Sequence, residues 1–198
     1  MRNNRLIILA GVAGLSASFA GLPVRAQAPQ LDPRAQRFAI PQSGVAFVTG
    51  DTWVQSNQTI RLFGVQACSR GTSFTNAAGV KGDCGEASLA YLASMIRDTR
   101  PECEPLLQSN PAPPAPPVIY VVCQAHVGAS TLDLGTVMIT QGFAFASLAK
   151  DDDSEKPVYM PYMIAELSAK QAHAGLWASA SFTHPYAALS NAAARPTR

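Results

Sequence analysis

Few residues in this chain could do chemistry. Asp51 stands in the turn Thr49-Gly50-Asp51-Thr52, and Arg61 follows in the run Ile60-Arg61-Leu62-Phe63-Gly64-Val65. A carboxylate can hold a hard cation, and a guanidinium fork matches two oxygens of a phosphate or a carboxylate. A strand-end aspartate beside a strand arginine is also the composition of a packing ion pair, and both roles stay open at this point. His126, His173 and His184 form no cluster. His173 falls near the end of a predicted helix, where a protonated imidazole complements the helix dipole. Asp151-Asp152-Asp153 gather three acids that a solvated loop explains better than a cation site. Cys68, Cys84, Cys103 and Cys123 form an even set with no Cys-x-x-Cys spacing, which in an exported chain reads as two disulfides.

Export is what the N-terminus predicts. Met1 to Arg5 is a short basic head, Leu6 to Ala20 is apolar and uncharged, and small residues lead to Val24-Arg25-Ala26 and Gln27-Ala28. That is the layout of a secretory signal peptide over 1–26. Cleavage after Ala28 would leave Pro29 next to the cut, so Ala26 is the better exit. The apolar run is shorter than the roughly 20 residues that span a bilayer, so no stable membrane span is expected. Export also changes the charge. The full chain has 15 Lys+Arg against 13 Asp+Glu. Arg2, Arg5 and Arg25 leave with the signal and every acid stays, so 12 basic residues face 13 acidic ones and the mature net charge is −1. A near-neutral surface does not favour nucleic acid as a partner.

The elements that must position Asp51 and Arg61 follow from hydrophobic pattern. Residues 27–43 carry Pro29, Pro33 and Pro41 and read as an extended lead-in. Val45–Val48, Thr52–Val54 and Thr59–Val65 read as three strands, with Ser56-Asn57-Gln58 as a hairpin turn. Residues 66–83 read as a loop. A helix over 85–97 places Leu89, Leu92, Ala93 and Ile96 on one face. Strands at 102–104 and 118–125 flank a proline-rich excursion over 105–117. A second helix is expected over 131–141 and a third over 159–174, the latter with Met163, Ile164, Leu167 and Ala174 inward and Gly175 as cap. The tail 186–198 is small and polar, with the composition of a disordered segment. This order predicts one α+β domain over 44–185, a five-stranded OB-fold β-barrel with three helices.

Several short motifs, taken together and in order, resemble the thermonuclease (staphylococcal-nuclease-like) family. They are T-G-D-T at 49–52, I-R-L-F-G-V-Q-A-C-S at 60–69, C-G-E-A-S at 84–88, D-L-G at 133–135, Q-G-F-A-F-A at 141–146 and G-L-W at 175–177. The resemblance implies phosphodiester hydrolysis, in which two aspartates hold Ca²⁺, a glutamate handles water and two arginines neutralise charge. Asp51 matches the first calcium aspartate and Arg61 the first arginine. Gln66 replaces the second aspartate, Ser69 the glutamate and Val118 the second arginine; Ala67 keeps the carbonyl position and Cys68 replaces a proline. One lost acid–base group typically costs about 10²–10⁴ in rate, so a catalytically inactive member is expected, with no cofactor.

The resemblance also pairs the cysteines. Cys103 and Cys123 lie on strands flanking the proline-rich loop, and Cys68 and Cys84 bracket the segment that carries the family's glutamate. A periplasmic or secreted binding module is thus expected, monomeric, with a glycan or an envelope protein as partner. Some exported relatives of this kind accompany exopolysaccharide biosynthesis. The rival is a weak Ca²⁺-dependent nuclease using Asp51, Arg61 and a substitute acid, Asp83 or Glu86. A third role is a structural envelope protein that makes contact through the proline-rich loop.

Overall fold

The computed structural model describes residues 37–151 and 154–179, with Phe182 and His184. The predicted signal peptide 1–26, the first part of the lead-in (27–36), Asp152 and Asp153, and the tail 186–198 lie outside the described residues. The described residues are mixed α+β, with three α-helices and a curled, open sheet. β1 (Phe38–Ala39) lies at one edge, and β2 (Ala46–Thr49), β3 (Thr52–Gln55) and β4 (Gln58–Leu62) form a meander. The β3–β4 turn places Ser56 and Asn57 at positive φ, the backbone that matches strand twist in a two-residue hairpin. Period-two alternation then sorts the side chains. Trp53, Ile60 and Leu62 are buried, while Thr52 pairs with Arg61 on the opposite face.

Segment 66–83 is more ordered than a loop. β5 (Val65–Gln66) is followed by a hairpin of β6 (Ser73–Thr75) and β7 (Lys81–Asp83). Asp83 caps α1 (Cys84–Thr99) by accepting from the Glu86 N–H at 3.0 Å. Leu92 and Ile96 are buried as expected, whereas Leu89 and Ala93 are half-buried and Ser88 takes an inward position.

β8 (Glu102–Ser109) runs well past its predicted end. It absorbs Pro105 at a register shift between Pro105 and Leu107, where a residue without an N–H donor is tolerated. The proline-rich excursion therefore shrinks to 110–117. β9 (Val118–Val127) organises the sheet: β8 pairs along one edge, and the other edge pairs parallel with β4 in its first half and antiparallel with β10 (Ser130–Asp133) in its second. The order is β1-β8-β9-β4-β3-β2, with β10 branching from β9. β10 takes the start of the predicted second helix, so α2 is only Leu134–Thr140. Thr131 and Leu132 pair with His126 and Ala125, and Asp133 becomes the helix cap.

β11 (Phe145–Ala146) pairs with β5, and β12 (Leu148–Asp151) pairs with β13 (Ser154–Pro157). α3 (Met160–Gln171) precedes a 3-10 turn at Gly175–Ala178. Its inward face is only partly the predicted one: Met163, and Ala174 beyond the helix, are half-buried against the core. Ile164 and Leu167 are 60% and 50% exposed, and Tyr162, Glu166 and Ala169 are buried instead. Two polar anchors set that rotation. The Tyr162 hydroxyl donates to Asp133 Oδ1 at 2.8 Å, and Glu166 Oε2 accepts from the Ala146 N–H at 2.8 Å. Gly135 allows the close approach, since a Cβ there would meet the Tyr162 hydroxyl at 2.3 Å.

Both expected disulfides form. Cys103 and Cys123 are directly opposed across β8 and β9, and Cys68–Cys84 ties the end of the β5 segment to the start of α1. The main core gathers Trp53, Ile60, Leu62 and Val121 from the sheet, Leu92 and Ile96 from α1, and Leu134, Met138 and Ile139 from α2. A second cluster holds the Cys68–Cys84 bridge with Phe145, Ala169, Leu176 and Trp177.

Candidate functional site

Asp51 and Arg61 meet because the β2–β3 turn folds back beside β4. The Asp51 carbonyl accepts from the Leu62 N–H at 2.9 Å, which closes the turn against that strand. Gly50 permits the approach to α1: a Cβ would lie 1.9 Å from the Ser88 hydroxyl oxygen. Ser88 itself donates to the Phe143 carbonyl at 2.6 Å. The glycine of T-G-D-T is thus a packing requirement.

Asp51 is 2% exposed, and both its oxygens are engaged. Oδ1 accepts from the hydroxyls of Thr49 and Thr52. Oδ2 accepts from Arg61 Nε at 3.0 Å and from the Ala67 N–H at 3.3 Å, and lies 2.9 Å from Arg61 Nη2. Arg61 Nη2 also donates to Gln66 Oε1 at 2.9 Å, and Gln66 Nε2 donates to the Ala67 carbonyl at 3.0 Å. Gln66 is placed by the β5–β11 pair, in which it faces Phe145. A cleft of about 190 Å³ opens over this network, lined also by Cys68 and Ser69.

The calcium implied by the resemblance does not fit this donor set. Ca²⁺ takes about six to eight oxygen ligands. Here the one carboxylate is saturated by four donor groups, the Gln66 oxygen is turned to a guanidinium, and the Ala67 carbonyl is held by the Gln66 amide. The Arg61 cation already neutralises the charge a metal would need.

Asp51, Arg61, Gln66 and Ser69 therefore share one cleft, and Val118 does not line it. Val118 pairs with Thr59 on the sheet face that carries Arg61, one row away. Tyr120 sits directly opposite Arg61 across the parallel β4–β9 pair. Neither proposed substitute acid lines the cleft. Asp83 is held as a helix cap, its carboxyl below the usual value because it accepts backbone N–H bonds from Glu86 and Gly71. Glu86 is paired with Arg70 at 2.7 Å on the surface. Among the described residues, no three His, Cys, Asp or Glu side chains gather as a metal-binding group.

Two polar centres gave little signal in the sequence. Asp133 accepts from Tyr162, and Glu166 is a buried carboxylate contacted by Lys170 Nζ at 2.7 Å and His184 Nε2 at 3.3 Å. Both rest on helix packing, and only a correct inward face for α3 would have exposed them. No helix among the described residues is long and apolar enough to cross a membrane. Compared with known proteins, the chain matches no family model and no curated sequence.

Proposed function

We propose that the chain is an exported, non-catalytic member of the thermonuclease family, with β2, β3, β4, β8 and β9 of its curled sheet standing for the five strands of an OB-type barrel adapted as a binding or accessory module. It acts in the periplasm or outside the cell, with a glycan or an envelope protein as partner in preference to nucleic acid. One observation carries this: the sole carboxylate among the described residues lining the cleft, Asp51, is consumed by Thr49, Thr52, Ala67 and Arg61. Gln66 and Ser69 add no second acid. A hydrolytic site needs charge aimed at the reacting phosphate, and here the charges are aimed at each other. Two disulfides suit an oxidising compartment, and the mature charge of −1 gives no footprint for a polyanion.

The test is direct. The mature chain is incubated with single-stranded DNA and with RNA, in calcium and in chelator. No cleavage above background is expected in either condition. Calcium-dependent cleavage abolished by Asp51→Ala would establish the nuclease instead.

A further inference from the structure

Two clefts that share no residue with the Asp51 site meet at Asp133 and Thr136. One, of about 450 Å³, lies between α1 and α2, with Met95, Leu132 and Val137 in its walls. The other, of about 320 Å³, lies between β9 and the start of α3, with Leu106, Val122 and Tyr159 in its walls. Leu106, Val127, Leu132 and Tyr159 are each more than two-fifths exposed along this groove. Apolar clefts with a few placed polar groups are the usual form of a recognition site.

The polar group at the waist is half used. Asp133 Oδ1 accepts from the Thr136 N–H at 2.6 Å, the Thr136 hydroxyl at 2.8 Å and the Tyr162 hydroxyl at 2.8 Å. Oδ2 accepts from no described residue. Burial, reinforced by the Asp133 charge, pushes the Tyr162 phenol up, so it stays a donor and keeps Oδ1 occupied. None of the described residues lining either cleft is basic. The open oxygen therefore selects a donor and repels phosphate or any other anion.

We propose that this groove docks an extended segment of a partner protein in which one lysine or arginine is flanked by apolar side chains. The cation meets Asp133 Oδ2, and the apolar neighbours fill the clefts on either side. The proposal rests on the binding-module reading and selects a protein over a glycan within it. Met95, Leu132, Val137 and Leu106 suit apolar side chains; Tyr91, Tyr159 and Gln124 could also meet a sugar, but a neutral sugar brings no cation to Asp133 Oδ2.

Amide chemical shifts of the mature chain test this, with the blocked pentapeptide Leu-Val-Lys-Val-Leu as probe. The expected result is shifts confined to residues around Asp133 and Thr136. A glutamate at the centre of the peptide should weaken binding at least about tenfold, the loss of one charge-assisted contact. Asp133→Asn should do the same. Because Asp133 also caps α2, Leu132→Ser serves as a second variant, expected to weaken binding while leaving the remaining spectrum unchanged. Equal binding of the lysine and glutamate peptides would overturn the proposal. So would cello-oligosaccharide shifting these amides where the peptide does not, or concentration-dependent shifts without peptide, the mark of a second copy in the groove. Spectra taken without calcium or nucleic acid keep this outcome separate from nuclease activity.

Discussion

Asp51→Asn asks most of the ion pair at the centre of the cleft. The change is isosteric, so it opens no cavity. It removes the charge that faces Arg61, and the new amide NH₂ either opposes Arg61 and the Ala67 N–H together at Oδ2 or replaces Oδ1, where the Thr49 and Thr52 hydroxyls lose their acceptor and must turn. A hydrogen bond to a charged group contributes about 1.5–3 kcal/mol, and a buried donor left unsatisfied costs about 1–3 kcal/mol. The Arg61 side chain is 30% exposed, so water recovers part of its share. The net is about 3 kcal/mol, at the lower end of what breaking a buried pair costs. For a chain of this size, that lowers the melting temperature by about 6–12 °C. Calorimetry of the mature chain in chelator measures it. Arg61→Ala should be comparably destabilising, and the double variant should lose clearly less than the sum of the two. An Asp51→Asn protein as stable as the parent, or more so, would refute the reasoning, since carboxylates kept for function are held at the expense of stability.

Other outcomes follow from the same geometry. Burial raises the Glu166 carboxyl, but His184, Lys170 and the Ala146 N–H outweigh it and hold the value below the ordinary one. Its contribution is therefore complete above the ordinary glutamate value of about 4.3 and is lost as pH falls through the lowered folded value. Glu166→Gln should reduce stability at neutral pH and flatten the acid limb of the melting-temperature profile. Replacing Cys68 and Cys84 together by alanine frees the 15 residues they enclose, and chemical denaturation should show a loss of about 3 kcal/mol. Gly50→Ala drives a methyl into Ser88 and should destabilise by about 1–3 kcal/mol in the same assay.

Much of this was legible in the sequence where the signal is local. The β2–β3–β4 meander follows from alternation and from Ser56-Asn57, and α1 from its Leu92 and Ile96 periodicity. The nearness of Asp51 to Arg61 needs only that meander. What stayed hidden depends on contacts far apart in the chain. Nothing local pairs β4 with β9, so Tyr120 gave no sign that it stands beside Arg61. α3 misled because its most apolar stripe, with Ile164 and Leu167, faces solvent, while the buried stripe holds Tyr162 and Glu166. Two specific hydrogen bonds outweigh hydrophobic periodicity there. β10 has the look of a helix start in the sequence because a four-residue strand carries too short a pattern to compete with the apolar run that follows it.

Calcium titration of the mature chain by isothermal calorimetry, alone and with a nucleotide 3′,5′-bisphosphate, tests most directly whether Asp51 is spent within the protein. With its oxygens held by Thr49, Thr52, Ala67 and Arg61, no saturable binding is expected at millimolar calcium, with or without the nucleotide. A saturable site that disappears in Asp51→Ala would contradict the account.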